Sequence, residues 1–392
     1  MRKPTEVVVV GGGIIGCSVA LELARRGVQV TLFERDQLAG AASGRNHGLI
    51  GYPQNKLLDE LYRASHALYR ELASSSDISI GLDTSPRGLL IVVRVDADWG
   101  PAQSEAHASA EGGIEITKLD ASEVAREEPG TSEVLGGYLI NDYYRLDPAA
   151  LTLAIAYQAS AEGAVLRTNT EVKQVLVKDG GVTGVATDEG IVEADVVVDA
   201  AGPWAPRLAR SAGVDLPIRG ARGWLILTAA VPQSIAHLIQ SAGWHLTSGQ
   251  TGPGETTLAE YGKGGADHIR QVGMLIQQNS SGHVLIGGAR ITSMRDEPES
   301  VEVTHQIAAT AVDALPALAS ASITGVWSGV RPMSVDGLPL IGWIDGVEGL
   351  FAAGGHGGQG VILGGGTGVL AAQMITGEKT IVEPARFDPN RE

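Results

Sequence analysis

The sequence predicts a mixed α/β protein (α+β overall) in which a lobe built on a parallel sheet is interleaved with a lobe built on a mostly antiparallel sheet. A β-branched strand at 6–10 leads into a glycine-rich turn, and short buried-strand patterns return at 195–200 and 350–353. From 224 to 290 strands alternate with loops. Because strands of the first lobe occur early, midway and late in the chain, we expect the lobes to interleave.

The first lobe opens with a predicted βαβ unit. Glu6–Val10 is typical of a buried strand, Ile14–Arg26 has helical spacing and is followed by Gly27, and Val28–Glu34 is typical of a second strand. Such a unit places two parallel strands side by side with the helix covering one face.

Later patterns supply the remaining elements of both lobes. Helices are predicted at 57–74, 102–110, 121–126, 147–162, 303–315 and 359–376, and strands at 88–95, 170–177, 182–187, 191–193, 195–200, 274–278, 283–286 and 350–353. Asp147 before Pro148 is a strong helix start. We assign the first lobe to 1–85, 142–224 and 325–392, and the second to 86–141 and 225–324.

Composition excludes several classes of protein. The 45 acidic and 29 basic residues leave a net charge of −16 over 392 residues, which argues against nucleic acid or an anionic membrane as main partner. The sequence contains no uninterrupted run of eighteen apolar residues, so we expect no membrane-spanning helix. Cys17 is the one cysteine, so a disulfide within the chain is excluded. The nine histidines are scattered along the sequence, and we therefore expect no metal site. The glycines at 11–13 interrupt the apolar start too early for a secretory signal, and we expect a cytoplasmic protein.

The turn after the first strand carries a dinucleotide-binding pattern. Gly11, Gly13 and Gly16 satisfy G-x-G-x-x-G between strand and helix, and Glu34 ends the next strand about twenty residues later. The glycines allow the tight turn, close approach of a pyrophosphate and helix packing, while Glu34 can accept from ribose hydroxyls. This predicts a Rossmann-type site; the alternative is a glycine-rich turn in an ordinary α/β protein. The motif itself does not distinguish NAD from FAD.

Three further segments, with the first turn, resemble the D-amino-acid oxidase superfamily of FAD-dependent oxidoreductases. They are the small-residue loop Gly40–Leu49, the stretch Gly329–Gly342 containing G-x-R-P, and Ala353–Val361 before the last helix. The family includes glycine oxidase, sarcosine oxidase and the flavin subunits of proline, hydroxyproline and opine dehydrogenases. Met274–Arg290 and Ser43–Gly48 look most like those flavin subunits. The resemblance implies FAD as cofactor and makes the first lobe the FAD-binding domain.

The resemblance also implies which residues contact FAD. The loop before Leu49 would run beside the ribityl chain and flavin ring, Val172 would pair with adenine, Ala201 to Trp204 would pass near the pyrophosphate, and Gly357 to Val361 would lie at the pyrimidine edge. The full set is Gly11, Gly13, Ile14, Ile15, Gly16, Glu34, Arg35, Ala42, Ser43, Arg45, Asn46, His47, Gly48, Leu49, Val172, Ala201, Gly202, Trp204, Gly357, Gly358, Gln359, Gly360 and Val361.

The last helix has an independent physical reason to lie at the flavin. Gly360 would start a helix whose free N–H groups favour negative charge on the flavin pyrimidine. The alternative is a flexible loop without helix. Gly364–Gly366 costs the helix about 1 kcal/mol per glycine relative to alanine. A close approach of this helix to flavin or sheet would explain these glycines.

Three residues are the candidate catalytic groups. Arg331 would bind the substrate carboxylate bidentately, as the resemblance implies for the arginine of G-x-R-P; the alternative is an arginine that braces its loop. His47 could pack on the flavin, donate a hydrogen bond or carry a covalent flavin bond, or have none of these roles. Gln359 is the third candidate. His356, Tyr261 and Gln278 are weaker pocket candidates, while Arg219 and Arg222 are expected in a structural or entrance cluster.

The predicted reaction is hydride transfer from the α-carbon of a small amino or imino acid (glycine-, sarcosine-, proline- or hydroxyproline-like) to flavin N5, giving an imine. Electrons would then pass to oxygen, a quinone or another redox subunit. The sequence allows either a homo-oligomer or a hetero-oligomer. Sarcosine oxidases, which belong to the resembled family, use a lysine near the flavin to promote reaction with oxygen. No lysine occurs between Lys263 and Lys379, so the resemblance favours a dehydrogenase slightly over an oxidase. Alternatives are the flavin subunit of a dye-linked amino-acid or opine dehydrogenase that is weak alone, a non-catalytic FAD module and an NAD-dependent dehydrogenase.

Overall fold

A six-stranded sheet forms the centre of the first lobe in the computed structural model, which describes residues 6–53, 55–83, 88–244, 270–292 and 301–391. Its strands are β1 Glu6–Val10, β2 Gln29–Phe33, β8 Val165–Arg167, β12 Val196–Asp199, β18 Leu340–Trp343 and β19 Leu350–Gly354. The spatial order is β18-β19-β12-β1-β2-β8, and β18 alone runs antiparallel to its neighbour. The structure confirms the predicted βαβ unit and the parallel sheet.

The two faces of this sheet are covered by different layers. Val7 and Val9 face a helical layer, whereas Val8 and Val10 face a small antiparallel sheet. The helical layer contains α1 Ile14–Arg25, α2 Asp59–Ser75, α5 Pro148–Ala161 and α8 Gly360–Thr376. The opposite layer contains β9 Val172–Lys178, β10 Gly181–Thr187, β11 Gly190–Glu193 and α6 Ala205–Ser211. Burial on both faces explains the uninterrupted valine run of β1.

An eight-stranded sheet forms the second lobe. Its strands are β4 Leu89–Val93, β5 Ile116–Asp120, β6 Gly136–Ile140, β13 Ile218–Ala230, β14 Leu238–Ser241, β15 Arg270–Gln278, β16 His283–Thr292 and β17 Ile323–Ser334. The order is β17-β13-β16-β15-β14-β4-β6-β5, with β14–β4 as the one parallel pair. The helices of this lobe are α3 Trp99–Glu111, α4 Ala121–Glu127 and α7 Val301–Ala314. The mostly antiparallel sheet is therefore confirmed.

Two shorter features complete the described fold. Strands β3 Leu49–Ile50 and β7 Tyr144–Arg145 pair antiparallel beside the loop that ends at Leu49. Short 3₁₀ turns cover Ala42–Gly44, Lys56–Leu58, Asp96–Asp98, Gly202–Trp204, Pro316–Ser320 and Pro384–Phe387. In the described ranges, no helix is both long and apolar enough to cross a membrane, and no group of three or more metal-type side chains comes together.

The lobes exchange chain segments several times, because the six-stranded sheet takes strands from the beginning, the middle and the end of the sequence. The predicted boundaries at 224/225 and 324/325 fall inside β13 and just inside β17, respectively. The division into 1–85, 142–224 and 325–392 against 86–141 and 225–324 stays a prediction, as does the cytoplasmic location.

The glycines of α8 lie against neighbouring helices. A Cβ at Gly366 would lie 2.5 Å from Cα of Leu61 on α2, and one at Gly365 would lie 2.8 Å from Cα of Ser65. The Gly366 amide also donates to Ser65 Oγ at 2.8 Å. The expectation that Gly364–Gly366 reflects a close approach to flavin or sheet is therefore wrong: these glycines let α8 approach its neighbouring helices.

Candidate active site

A cavity of about 590 Å³ runs from the turn after β1 to the start of α8. It is long enough to touch the 40–49 loop, the segment after β12 and strand β17. The predicted site residues that line it are Gly11, Gly13, Ile14, Ile15, Glu34, Arg35, Ala42, Ser43, Arg45, Asn46, His47, Leu49, Val172, Ala201, Gly202, Trp204, Arg331, Gly357, Gly358, Gln359, Gly360 and Val361. Of the predicted set, Gly16 and Gly48 lie outside the lining.

The first turn is shaped by steric limits on its glycines. Gly11 has a φ of +114°, and a Cβ there would collide with the carbonyl oxygen of Ala200. A Cβ at Gly16 would collide with the Gly11 carbonyl oxygen, so Gly16 serves helix-to-strand packing rather than the cavity surface. The Ile14 amide donates to Ser43 Oγ at 2.9 Å. The start of α1 thus lines the cavity, and one of its amides is hydrogen-bonded to the Ser43 hydroxyl.

One end of the cavity combines a carboxylate with an aromatic platform. Glu34 accepts from the Gly12 amide at 2.7 Å and from the Asp36 amide at 2.9 Å. The Arg35 guanidinium lies 3.9 Å from the centre of the Trp204 ring. Val172, the first residue of β9, lines the same cavity. Together these groups fit the adenosine half of a dinucleotide.

The 40–49 loop is held by its own side chains. The Asn46 amide nitrogen donates to the Ala42 carbonyl at 2.9 Å and to the Ser43 carbonyl at 2.8 Å. Its oxygen accepts from the Gly48 amide at 2.8 Å. Asn46 therefore fixes the loop as it passes the cavity, and Gly48 contributes to the shape of the loop.

His47 is a neutral side chain at the junction of the lobes. Its ring packs against Gly287 of β16, and its Nε2 is buried without a hydrogen-bond partner among the described residues. Burial and the nearby Arg331 charge lower its pKa to about 3, although a hydrogen bond to the Leu275 backbone opposes the shift. His47 therefore lines the cavity as a neutral ring that carries no charge of its own at neutral pH.

Arg331 of β17 is a cation in the cavity wall. Its Nη1 donates to the Ala289 carbonyl at 3.0 Å, and it passes over Gly223 of β13. Burial lowers its pKa to about 10, so the guanidinium is charged at neutral pH. The bond to Ala289 uses one of five N–H donors, which leaves others for a carboxylate. The bracing contact considered as the alternative is present, and it does not occupy the whole guanidinium.

The start of α8 lies close to this arginine. Gln359 is the residue before the helix, and no side chain caps the first turn. The Gly357 amide donates to the Pro332 carbonyl at 2.7 Å, which ties the segment before α8 to the residue after Arg331. The Gln359 Oε1 is buried without a partner in the described part of the chain. The helix N–H groups and Arg331 therefore share one region of the cavity.

The weaker candidates have different outcomes. His356 lines the cavity, contacts Thr367 Oγ1 through Nε2 at 2.9 Å, and has its pKa lowered to about 3 by burial. Gln278 is outside the lining and bonds to the Val231, Gln233 and Gly282 carbonyls, so the pocket expectation for it is wrong. Tyr261 lies outside the described residues.

Of the two arginines expected in a cluster, Arg222 is buried in the lining and donates to Ser328 Oγ at 2.9 Å, whereas Arg219 does not line the cavity.

Among the lining residues that sequence reasoning missed are Trp244, Arg290, Tyr52 and Tyr143. The signal for two of them is a glycine pair, because Gly288 gives space to the Trp244 ring and precedes Arg290 on β16 by two residues. Adjacent glycines in a strand interior mark a place where another group approaches the backbone closely.

The cavity fits FAD on the structure's own evidence. The glycine cradle at the first turn, the Glu34 carboxylate and the open start of α1 suit ribose and pyrophosphate. At the other end, His47, Gln359 and the uncapped start of α8 line the same cavity. A Cβ at Gly11 or Gly16 would collide with backbone oxygens of Ala200 and Gly11, so the shape of this turn requires glycine.

Comparison with known proteins gives the same cofactor. The family model for FAD-dependent oxidoreductases (DAO) matches residues 6–374. Glycine oxidase of Pseudomonas putida is 26% identical over 394 residues, covering 98% of each chain, and glycine oxidase of Geobacillus kaustophilus is 28% identical over 401 residues, covering 100% of this chain and 98% of the relative. The crystal structure of the Geobacillus glycine oxidase superposes with a TM-score of 0.84 at 25% identity over the full length of both chains.

A proline dehydrogenase structure shares the fold. L-proline dehydrogenase from P. horikoshii has a TM-score of 0.81 at 22% identity, covering 100% of this chain and 98% of that one. The fold, the cavity and the family match agree, and the chain therefore belongs to the FAD-dependent oxidoreductase (DAO) family as an FAD-dependent amine or amino-acid oxidoreductase.

Proposed function

We propose that the enzyme oxidises a small amino or imino acid at its α-carbon, giving an imine that water hydrolyses. The observation that carries the proposal is a charged, partly buried Arg331 in the cavity that reaches the start of α8. Among the described residues, Ala289 accepts from one of its five N–H donors, which leaves others for a substrate. A fixed guanidinium recognises a carboxylate bidentately and so orients the rest of a small amino acid. The similarity to glycine oxidases supports the same class of substrate.

The chain's residues would position the substrate and the cofactor. FAD, when bound, supplies the hydride acceptor at flavin N5. Arg331 would hold the carboxylate, and desolvation of the amine on entering the cavity would favour its neutral form over the ammonium form. The uncapped N–H groups of α8 would favour negative charge near Gly360. The neutral His47 ring and the Gln359 side chain would line the flavin side of the cavity.

The lining residues divide into a proposed cofactor set and a proposed substrate set. The first turn, Glu34, Arg35, Val172 and the 201–204 segment would bind the adenosine and pyrophosphate parts. The residues 42–49 and 357–361 would contact the flavin side. Arg331 would contact substrate. Gly16 and Gly48 would act indirectly, by shaping the two segments that carry their neighbours.

A second candidate, a flavin subunit that passes electrons to another redox subunit or a quinone, is favoured by one observation. In the described lining the one lysine is Lys173, which lies beside Val172 and away from Arg331. Sarcosine oxidases use a lysine near the flavin to promote reaction with oxygen. Among the described lining residues, no lysine accompanies His47 and Arg331. We propose a dehydrogenase, acting alone or within a larger assembly, over an oxidase.

The test is anaerobic titration of the FAD-loaded protein with glycine, sarcosine, both prolines, hydroxyprolines and opines. Loss of the flavin absorbance with at least one amino or imino acid is expected, and the matched amide lacking the carboxylate should not react. Air and a soluble quinone, added separately afterwards, distinguish oxidase from dehydrogenase. A yellow protein that none of these compounds bleaches would contradict the proposed reaction and leave a non-catalytic FAD module.

A further inference from the structure

Three segments of the first lobe meet at the end of the cavity that contains Glu34. They are residues 34–36 after β2, residues 169–173 at the start of β9, and residues 201–208 after β12. Each of them contributes residues to the cavity lining. In the six-stranded sheet β1 lies between β2 and β12, so the first and third segments flank the glycine turn that follows β1. Segments far apart in the sequence therefore form the rim of this end of the cavity.

Backbone hydrogen bonds join the first segment to the second. The Asn169 amide donates to the Asp36 carbonyl at 2.9 Å, and the Thr170 amide donates to the Glu34 carbonyl at 2.9 Å. These bonds directly follow the pairing of β2 with β8. This part of the rim is therefore held by main-chain atoms.

Side-chain contacts join the third segment to the other two. The Arg207 guanidinium lies 3.6 Å from the Glu171 carboxylate, and these side chains are 69% and 37% exposed. The Arg35 guanidinium carbon lies 3.9 Å from the centre of the Trp204 ring, and both residues are partly buried. An exposed ion pair contributes little, whereas a partly desolvated cation–π contact contributes more. The Arg35–Trp204 stack is therefore the stronger of the two links.

Both partners of the stack are oriented by their own segments. The Arg35 Nε donates to Asp36 Oδ2 at 3.0 Å, a bond that lies at the edge of the guanidinium and leaves its planar face for the indole. Trp204 ends the 3₁₀ turn Gly202–Trp204, in which its amide donates to the Ala201 carbonyl at 3.1 Å. The stack thus joins two ordered segments across the glycine turn.

We propose that the Arg35–Trp204 stack is a latch on the adenosine end of the FAD site, which sets how fast FAD enters and leaves rather than how tightly it is bound at equilibrium. The stack joins the segments on both sides of the turn where the pyrophosphate would lie, so passage of the adenosine half requires the two side chains to separate. Both belong to the chain, and their separation is therefore needed for entry as well as for release. The latch concerns the cofactor and is independent of which substrate the enzyme oxidises.

FAD exchange tests the latch without any turnover. The FAD-loaded protein is diluted and the released FAD is collected by rapid ultrafiltration; its fluorescence gives the release rate and, at equilibrium, the Kd. In Arg35→Gln the release rate should rise about 3- to 30-fold, as expected for a lost cation–π contact, while the Kd changes less than about threefold. Arg35→Lys and Trp204→Phe should keep part of the slow release. Arg210→Gln, at an arginine of α6 that pairs with Asp215 outside the cavity lining, is the matched control and should release FAD at the wild-type rate.

A double variant separates a latch from two independent contacts with FAD. If the stack is the barrier, the protein with both Arg35→Gln and Trp204→Leu should release FAD no faster than the faster of the two single variants. Release rates that multiply in the double variant would overturn the latch, because each side chain would then act on FAD separately. A Kd that weakens in proportion to the faster release of Arg35→Gln would overturn it too, as would a release rate that this change leaves within twofold of the wild type.

Discussion

Replacing Arg331 by methionine separates carboxylate binding from bracing of the strand. Methionine keeps much of the length and removes the charge. The lost bond to Ala289 removes about 1.5–3 kcal/mol of stability, as a hydrogen bond from a charged donor does. Removing the buried charge returns a similar amount, because the fall of its pKa from 12.5 to about 10 corresponds to about 3 kcal/mol of unfavourable burial. The free energy of unfolding should therefore change by no more than about 2 kcal/mol.

The same change should strongly weaken carboxylate substrates. Loss of a bidentate charged pair amounts to about 3 kcal/mol or more, a fall of about 100-fold in kcat/KM. The assays are flavin content, urea unfolding of the FAD-loaded protein and anaerobic flavin reduction at varied substrate, with Arg126→Met as the control. A large loss of stability with unchanged kcat/KM would refute the reasoning and assign Arg331 to bracing alone.

Two further changes test the packing and the electrostatics of the first lobe. Gly366→Ala should lower the free energy of unfolding by about 3 kcal/mol, since the new Cβ would lie 2.5 Å from Cα of Leu61. The control is Gly100→Ala in helix α3, where the new Cβ would meet no neighbouring atom within 4 Å and the change should be neutral or slightly stabilising. Equal free energies of unfolding for the two variants in urea would contradict the helix-contact explanation. Burial raises the pKa of Asp199 from 3.8 to about 8, so its protonated form stabilises the fold at low pH and that contribution is lost as the pH rises through about 8. Asp199→Asn should therefore gain stability relative to the wild type between pH 5 and pH 8, by at most about 1.4 kcal/mol per pH unit, and parallel unfolding curves for the two proteins would show that the carboxyl is not the cause.

Local signals account for the parts of the fold that the sequence predicted. Asp147 does cap α5, since its carboxylate accepts from the Ala149 and Ala150 amides at 2.9 and 3.0 Å. Gly11 does have a positive φ, at the turn where G-x-G-x-x-G predicts one. These features depend on residues a few positions apart, and their chemistry is visible in the sequence.

The site depends on contacts that no local pattern contains. Arg331 lies beside Ala289, 42 positions earlier in the chain, because β13 separates β17 from β16 and has glycine at the crossing point. Trp244 was missed for the same reason: its neighbours Gly273 and Gly288 are on strands β15 and β16. The pocket expectation for Gln278 failed because three carbonyl groups occupy its amide nitrogen.

Local residue patterns were enough to predict the nucleotide-binding turn, the order of helices and strands, and the family resemblance, because capping, glycine turns and hydrophobic periodicity act over a few residues. The folded chain was needed to show which charges share the cavity, that His47 is neutral, and that the glycines of α8 contact neighbouring helices. Burial and electrostatic interaction depend on distances in space, and strand order sets those distances between residues far apart in the chain.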